Sequence, residues 1–222
     1  MITVIIGEAA LETVPKEIAE HPAVVRLAER KGKRPEETLL DISYHYAAMK
    51  GLENWERRGR PDITFLTLLS LLERPLNKEG QLQVCVHTRN DRIIRISPET
   101  NIPRNYTRFV GLMEQLFSVG RVPPRGRPLM LLEKGNIEDI LRGTTHGKVV
   151  FLSENGKKVK LRYFEELVKE ANPVFVIGGF QRGEFMNTRS ADETVSVYKK
   201  SLDAWIVGAI VAHELERALG IL

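Results

Sequence analysis

Four consecutive apolar residues, Val174-Phe175-Val176-Ile177, run directly into the glycine pair Gly178-Gly179. A strand with no polar face must be covered on both sides, so it belongs in the middle of a sheet with helices above and below. Met1 to Gly7 and Lys148 to Ser153 are further short apolar strands, and helical patterns separate them. This alternation predicts an α/β protein. The 222 residues suffice for a core without covalent staples. The single cysteine, Cys85, excludes an intrachain disulfide and a cysteine-based zinc cluster. No apolar run approaches the roughly 20 residues that span a bilayer. Met1 to Ile6 has no basic leader and reads as a strand, not an export signal. These features predict a soluble intracellular protein.

Periodicity supplies the other elements. Pro15 to Gly32 reads as a helix, Leu39 to Ile42 as a strand followed by a helical turn over Tyr46 to Lys50, and Asn54 to Gly59 as a polar loop. Asp62 opens a helix as its N-cap. Phe65, Leu68, Leu69 and Leu72 form the buried face of that helix, which ends before Pro75. Leu82, Val84 and Val86 alternate as a strand, and Asn90-Asp91 turns it into a returning arm at Arg92 to Ile96. A helix over Asn105 to Phe117 carries an apolar stripe of Phe109, Leu112, Met113, Leu116 and Phe117. Its opposite side, starting just before the helix, presents Arg104, Arg108 and Gln115. Gly120 to Pro128 is a connector, Pro128 to Leu132 a strand, Glu154 to Lys157 a turn and Phe164 to Glu170 a helix. The last helix, Leu202 to Leu219, is apolar nearly all round, which fits a deep core position or a subunit interface.

The net charge of +4 is local in origin. Arg89 to Pro128 holds eight arginines against three acids and no lysine, an excess of five, so the remainder of the chain sums to −1. Arginine suits a bidentate grip on phosphate or a stack on a base, so the stretch is a candidate nucleic-acid surface; a solvated arginine-rich face is the plainer alternative.

Three constellations could carry chemistry. Gly178-Gly179-Phe180-Gln181-Arg182-Gly183 follows the apolar strand. It lacks the spacing of a dinucleotide fingerprint, yet glycines at a strand end let a ligand approach bare backbone, unless they simply make a turn. Val195 to Leu202 precedes the last helix, either as a loop with Ser201 as N-cap or as a second ligand-binding loop beside the glycines. In Arg60-Pro61-Asp62 the carboxylate can cap a helix or accept N–H groups from a base edge, with Arg60 keeping it ionised. The five histidines have no metal-ligand spacing, so no metal is expected, and no Walker loop or nucleophile triad stands out.

The order Arg60-Pro61-Asp62-Ile63-Thr64, Leu68-Leu69, Pro75-Leu76-Asn77, Gly80, Leu82-Gln83-Val84, His87-Thr88, Ile102-Pro103-Arg104, Arg108-Phe109 and Gly111-Leu112-Met113 resembles one family. These are the ribosome-biogenesis methyltransferases that methylate N1 of a pseudouridine in small-subunit ribosomal RNA, members of the SPOUT or α/β-knot superfamily. The resemblance covers most of the chain and is densest from Arg60 to Gln115. Gly178-Gly179, Gly183 and Tyr198 to Leu202 match in character.

The resemblance implies a SPOUT-like α/β knot with a C-terminal trefoil knot, which ordinary topology rules would discount. It implies a single domain over residues 1–222, with an RNA-binding hairpin and helix extension around 57–128. It also implies a homodimer, which would account for the apolar last helix, acting in the cytoplasm without membrane or metal. S-adenosylmethionine would lie among three loops: Leu152 and Ser153; Gly178, Gly179 and Gly183; and Val197, Tyr198, Lys199, Lys200, Ser201 and Leu202. Arg60, Asp62, Arg104, Arg108 and Gln115 would bind the RNA. Asp62, with Arg60, would serve catalysis by orienting the base edge or assisting loss of its N1 proton. Two rival readings share these residues: an RNA-binding assembly factor with weak or no catalysis, and a knotted methyltransferase acting on another RNA. The intact glycine turn disfavours the first, and the Arg60-Pro61-Asp62 and Ile102-Pro103-Arg104 blocks disfavour the second.

Overall fold

The apolar strand occupies the interior of the sheet, hydrogen-bonded in parallel to a strand on each side. The structure is a computed structural model and describes residues 1–169 and 172–222. Its strands are β1 (Ile2–Ala9), β2 (Leu82–Thr88), β3 (Arg92–Ile96), β4 (Arg121–Val122), β5 (Met130–Lys134), β6 (Val149–Lys158), β7 (Val174–Gly178) and β8 (Glu193–Ser196). They form one sheet in the order β4-β5-β3-β2-β1-β7-β6-β8. The β2 to β8 side is parallel throughout, while β3, β5 and β4 add an antiparallel wing. The helices are α1 (Pro22–Arg30), α2 (Ile42–Met49), α3 (Pro61–Leu72), α4 (Pro75–Lys78), α5 (Tyr106–Val119), α6 (Ile137–Arg142), α7 (Leu161–Leu167) and α8 (Ala204–Ala218).

Side-chain alternation along β7 sends Phe175 and Ile177 to one face and Val174 and Val176 to the other, and both sets are buried. The first face carries the main core, where Leu68 of α3, Phe109 of α5, Phe164 of α7 and Val211 of α8 meet the sheet. On the second face, Ile137, Ile140 and Leu141 of α6 pack on Ile5, Cys85 and Phe151. Burial raises the Cys85 thiol to about 11, so it remains protonated at neutral pH. A separate small core under α1 and α2 is built on Val24, Leu40 and Met49.

Several boundaries differ from the sequence-based expectations for local reasons. The helix expected over Pro15 to Gly32 splits into a 3₁₀ turn at Lys16–Ile18 and α1. His21, ahead of a proline, is extended and caps α1 by accepting the Ala23 N–H. The Leu39 to Ile42 strand reduces to one bridge between Thr13 and Leu39, because Asp41 caps α2 through the Ser43 N–H. Asp62 does not cap α3: Arg60 is the N-cap residue and Pro61 takes the first helical position, which leaves Asp62 inside the first turn. Ser201 does not cap the last helix either; Asp203 occupies that place. The expected turn at Glu154 to Lys157 lies within β6, where both Leu152 and Lys157 register with Val195 and the residues between them bulge out. The helix expected at Phe164 to Glu170 runs over Leu161–Leu167, and Glu170 lies outside the described residues.

Two buried carboxylates tie distant elements together. Glu216 of α8 accepts from Arg74 and from the Leu76 N–H at 3.0 Å. Glu114 of α5 receives Lys31 at 2.6 Å, Lys33 at 2.7 Å and the Leu39 N–H at 3.1 Å, which fixes α5 to the α1–α2 lobe. Burial pushes the Glu114 carboxyl up, but the hydrogen bonds from Lys31, Lys33 and Leu39 outweigh it and hold the group below its ordinary value. Glu114→Ala strands those donors and is expected to cost about 2 kcal/mol in chemical unfolding at pH 7. A depressed carboxylate stabilises above its unfolded pKa, near about 4.3. The gap between wild type and variant therefore closes as pH falls below that value through the folded pKa.

Candidate active site

A cleft of about 720 Å³ opens at the C-terminal end of β7 and at Leu152 of β6, where the pairing of the two strands ends, the edge on which ligands bind in open α/β sheets. All three loops singled out in the sequence contribute to it. Leu152 and Ser153 line it from β6, and Gly178 and Gly183 from the glycine turn. Val197, Tyr198, Lys200, Ser201 and Leu202 line it from the loop ahead of α8. Lys199 and Gly179 lie beside these residues in sequence but outside the lining. Gly179 is a packing residue: a Cβ there would fall 2.7 Å from the Ala9 Cα, and its backbone is pinned by Gly7 and Ala10 at 2.8 Å each. At Gly178 a Cβ would meet the Phe180 ring at 2.9 Å, so the bare backbone lets that ring close over the strand end.

The bulge in β6 also has a role in the cleft. Ser153 Oγ donates to the Glu184 carboxylate at 2.8 Å and Asn155 Nδ2 at 2.7 Å, which fastens the 180s loop to the end of β6. Gly156 permits the bulge, since a Cβ there would lie within 2.7 Å of the Val195 backbone.

Arg60 and Ile63 bring the start of α3 to the same cleft. Arg60 grips Asp62 with two bonds, Nε at 2.8 Å and Nη2 at 2.6 Å, and this pairing raises the Arg60 pKa. The carboxylate stands in the first turn of α3, where the helix dipole favours negative charge, and about a third of its side chain is exposed. Asp62 itself is outside the cleft lining; it is held in one orientation by the cleft-lining Arg60 and remains open to a partner.

Arg104, Arg108 and Gln115 do not line the cleft. They are exposed on and beside α5, opposite its buried stripe, as the periodicity predicts. Packing relates them to Asp62: Phe65, one turn along α3, lies 5.6 Å from Tyr106 and 5.0 Å from Phe109, ring centre to ring centre. The Tyr106 hydroxyl donates to Asp41 at 2.5 Å, and Asn105 caps α5 by accepting the Arg108 N–H at 3.1 Å. Among the described residues, Arg104 has one ion-pair contact, to Glu73 at 3.9 Å. The start of α5 thus packs on α3 through Phe65, while Arg104 is directed toward Glu73 at the other end of α3.

Local sequence does not mark Glu8 or Glu184 as contributors to the site, and it places Arg57 and Arg58 in a polar loop. The available signal was a pair of acids directly after an apolar N-terminal strand, with adjacent arginines just ahead of Arg60-Pro61-Asp62. Arg58 meets Glu12 with two bonds at 2.9 and 2.7 Å, both side chains being buried.

Residues 4–216 match the family model described as EMG1/NEP1 methyltransferase. The chain belongs to this family. Its relatives include the ribosomal RNA small subunit methyltransferase Nep1 of Thermococcus kodakarensis, 48% identical over 222 residues and covering 100% of both chains. The corresponding Nep1 of Pyrococcus furiosus is 42% identical over 215 residues, covering 96% of each. Among solved structures, Archaeoglobus fulgidus Nep1 bound to S-adenosylhomocysteine superimposes with a TM-score of 0.89 at 39% identity, over 99% of both chains. Family membership makes the chain a methyltransferase with the SPOUT-like α/β architecture. Among the described residues no helix is long and apolar enough to cross a membrane, and no group of His, Cys, Asp and Glu could hold a metal ion.

The glycines of the EMG1/NEP1 fold differ in what they tolerate. Gly179→Ala is expected to destabilise by about 1–3 kcal/mol, because the new methyl meets the Ala9 Cα at 2.7 Å and the buried Ile6 Cγ2 at 2.8 Å. Gly111→Ala, within α5 and facing open space, is expected to raise stability by up to about 1 kcal/mol. Thermal unfolding of the two variants checks the contrast.

Proposed function

We propose that this chain transfers a methyl group from S-adenosylmethionine to N1 of a pseudouridine in small-subunit ribosomal RNA, and so acts in ribosome biogenesis in the cytoplasm. The observation that carries this reading is Arg60, which lines a cleft walled by the glycine turn and the Val197 to Leu202 loop and grips Asp62 just outside that lining. The cleft residues fit an amphipathic nucleoside. Ile63, Leu152, Ile177 and Leu202 supply apolar walls, and the Ser153 and Ser201 hydroxyls and the backbone at Gly178 supply polar contacts. S-adenosylmethionine brings a methyl group already activated on a sulfonium, so the work left to the protein is binding and orientation.

The target base is taken out of its stack to reach the cleft. Asp62 accepts the N–H edge of the base and fixes its rotation, and assists loss of the N1 proton. Arg60 holds the carboxylate in place and meets phosphate with its remaining donors. Arg104, Arg108 and Gln115 hold the RNA outside the cleft, as part of an RNA-binding extension around residues 57–128 of a single domain. A homodimer is supported by α8: beyond its buried face and the cleft-lining Trp205 and Ile206, it carries partly exposed Ala209 and Ile210. The C-terminal trefoil knot of the superfamily belongs to the same proposal.

Short RNA hairpins carrying either uridine or pseudouridine test substrate and catalysis together. Methyl transfer is expected on pseudouridine, and its absence on both would overturn the reading. Asp62→Ala is expected to lower turnover about 100-fold or more, with S-adenosylhomocysteine binding by calorimetry unchanged. Full-rate transfer by that variant would remove Asp62 from the site. Hairpin affinity is expected to fall steeply with salt. Arg104→Ala and Arg108→Ala should each reduce the log–log slope by about 0.7.

A further inference from the structure

Glu8, one residue from the end of β1, has a backbone φ of +49°, in the region that side chains bearing a Cβ rarely adopt. Such a conformation persists only where its surroundings over-determine it. Here the surroundings are mostly a single loop. Glu8 Oε1 accepts the N–H groups of Met186 at 2.8 Å and Asn187 at 3.1 Å, and Oε2 accepts Arg57 Nη2 at 2.9 Å. The Glu8 N–H itself donates to His87 Nδ1 at 3.3 Å. That bond leaves the proton on His87 Nε2, which donates to Asp91 at 3.0 Å in the β2–β3 turn.

Arg57 continues the chain of contacts. Its second arm donates to the Glu184 carbonyl at 2.5 Å, and its guanidinium lies 4.0 Å over the centre of the Phe180 ring. It also fills the space at Gly183, where φ is +84° and a Cβ would come 2.9 Å from Arg57 Nη1. Phe180, Gly183 and Glu184 all line the cleft. None of these bonds is needed to hold β1, which is already paired with β2 and β7. They converge on the loop instead.

We propose that Glu8 and Arg57 are positioning residues for the cofactor, holding the Phe180 to Asn187 segment in the form that closes one wall of the cleft. This inference rests on the reading that the cleft takes S-adenosylmethionine. Glu8 is the fixed point, buried at the end of a central strand, and Arg57 is the strut that transmits its position to Phe180 and Glu184. Because Arg57 lies three residues before Arg60, one short segment sets the cofactor wall and presents the Arg60–Asp62 pair.

The test uses the full chain, with calorimetric titration of S-adenosylhomocysteine, steady-state methylation of the pseudouridine hairpin, and hairpin binding. Arg57→Met is expected to raise the S-adenosylhomocysteine Kd and the S-adenosylmethionine KM about tenfold or more. Its kcat at saturating cofactor should stay within about twofold of wild type, and so should the hairpin Kd of Glu8→Gln, a position outside the 57–128 extension. Arg57→Lys retains the pairing with Glu8 but not the fork to Glu184 or the flat stack on Phe180, so its cofactor affinity falls between the two. Glu8→Gln removes the charge while retaining an acceptor for the loop N–H groups, and is expected to weaken cofactor binding several-fold, about as Arg57→Lys does. All titrations are run below each variant's unfolding transition. Unchanged cofactor affinity in folded Arg57→Met and Glu8→Gln overturns the proposal while leaving the methyltransferase reading intact. Equal losses in kcat and hairpin binding with KM unaltered also overturn it. A wild-type chain that binds neither cofactor form overturns both readings together.

Discussion

Parallel hydrogen bonding of β7 to β1 on one side and β6 on the other sets the remaining geometry. Parallel pairing puts the ends of these strands, and the loops that leave them, on one edge of the sheet. Loops from Gly178 and from Leu152 meet there, and β8, parallel to β6, delivers the segment leading to α8. Strand pairing therefore brings residues far apart in the chain to one cleft, and side-chain contacts such as Glu8 to Met186 then fix its loops. The cost is a wholly apolar strand, which needs α3, α5, α7 and α8 on one face and α6 on the other.

Charge serves two separate purposes in this molecule. Buried acids at strand ends and on helices, namely Glu8, Glu12, Glu114 and Glu216, are each engaged by basic side chains and most also by backbone N–H groups. In such settings removing one partner leaves the other stranded in low dielectric, so these pairs fix positions more than they add net stability. The guanidinium groups of Arg104 and Arg108 are exposed, and at the surface an ion pair contributes little. Under the proposed reading these exposed groups, Arg108 on α5 and Arg104 just ahead of it, are the ones that meet RNA phosphate.

Features set by periodicity were legible from residues alone: the interior strand at Val174 to Ile177, the β2–β3 hairpin, and the polar face of α5 with Arg104, Arg108 and Gln115. The convergence of the glycine turn with the Val197 to Leu202 loop was one of two readings the residues left open, and the family resemblance implied it. What depends on long-range packing was not legible. Nothing local marks Glu8 as the acceptor for a loop nearly 180 residues later, and nothing distinguishes Gly179, which packs on Ala9, from Gly178, which borders the cleft. Asp62 misled as an N-cap because Arg60-Pro61-Asp62 satisfies two helix-start rules at once; proline at the first helical position prevailed and shifted the carboxylate into the turn. The β6 bulge escaped because its cause, Val195, lies on another strand.

The lone thiol of Cys85, sealed beneath α6 and kept protonated, has a practical consequence. A cysteine engineered at the solvent-facing side of α5 would be the single reactive sulfur on the native surface. A maleimide dye or spin label could then report on that helix, with no background labelling and no need to remove the natural residue first.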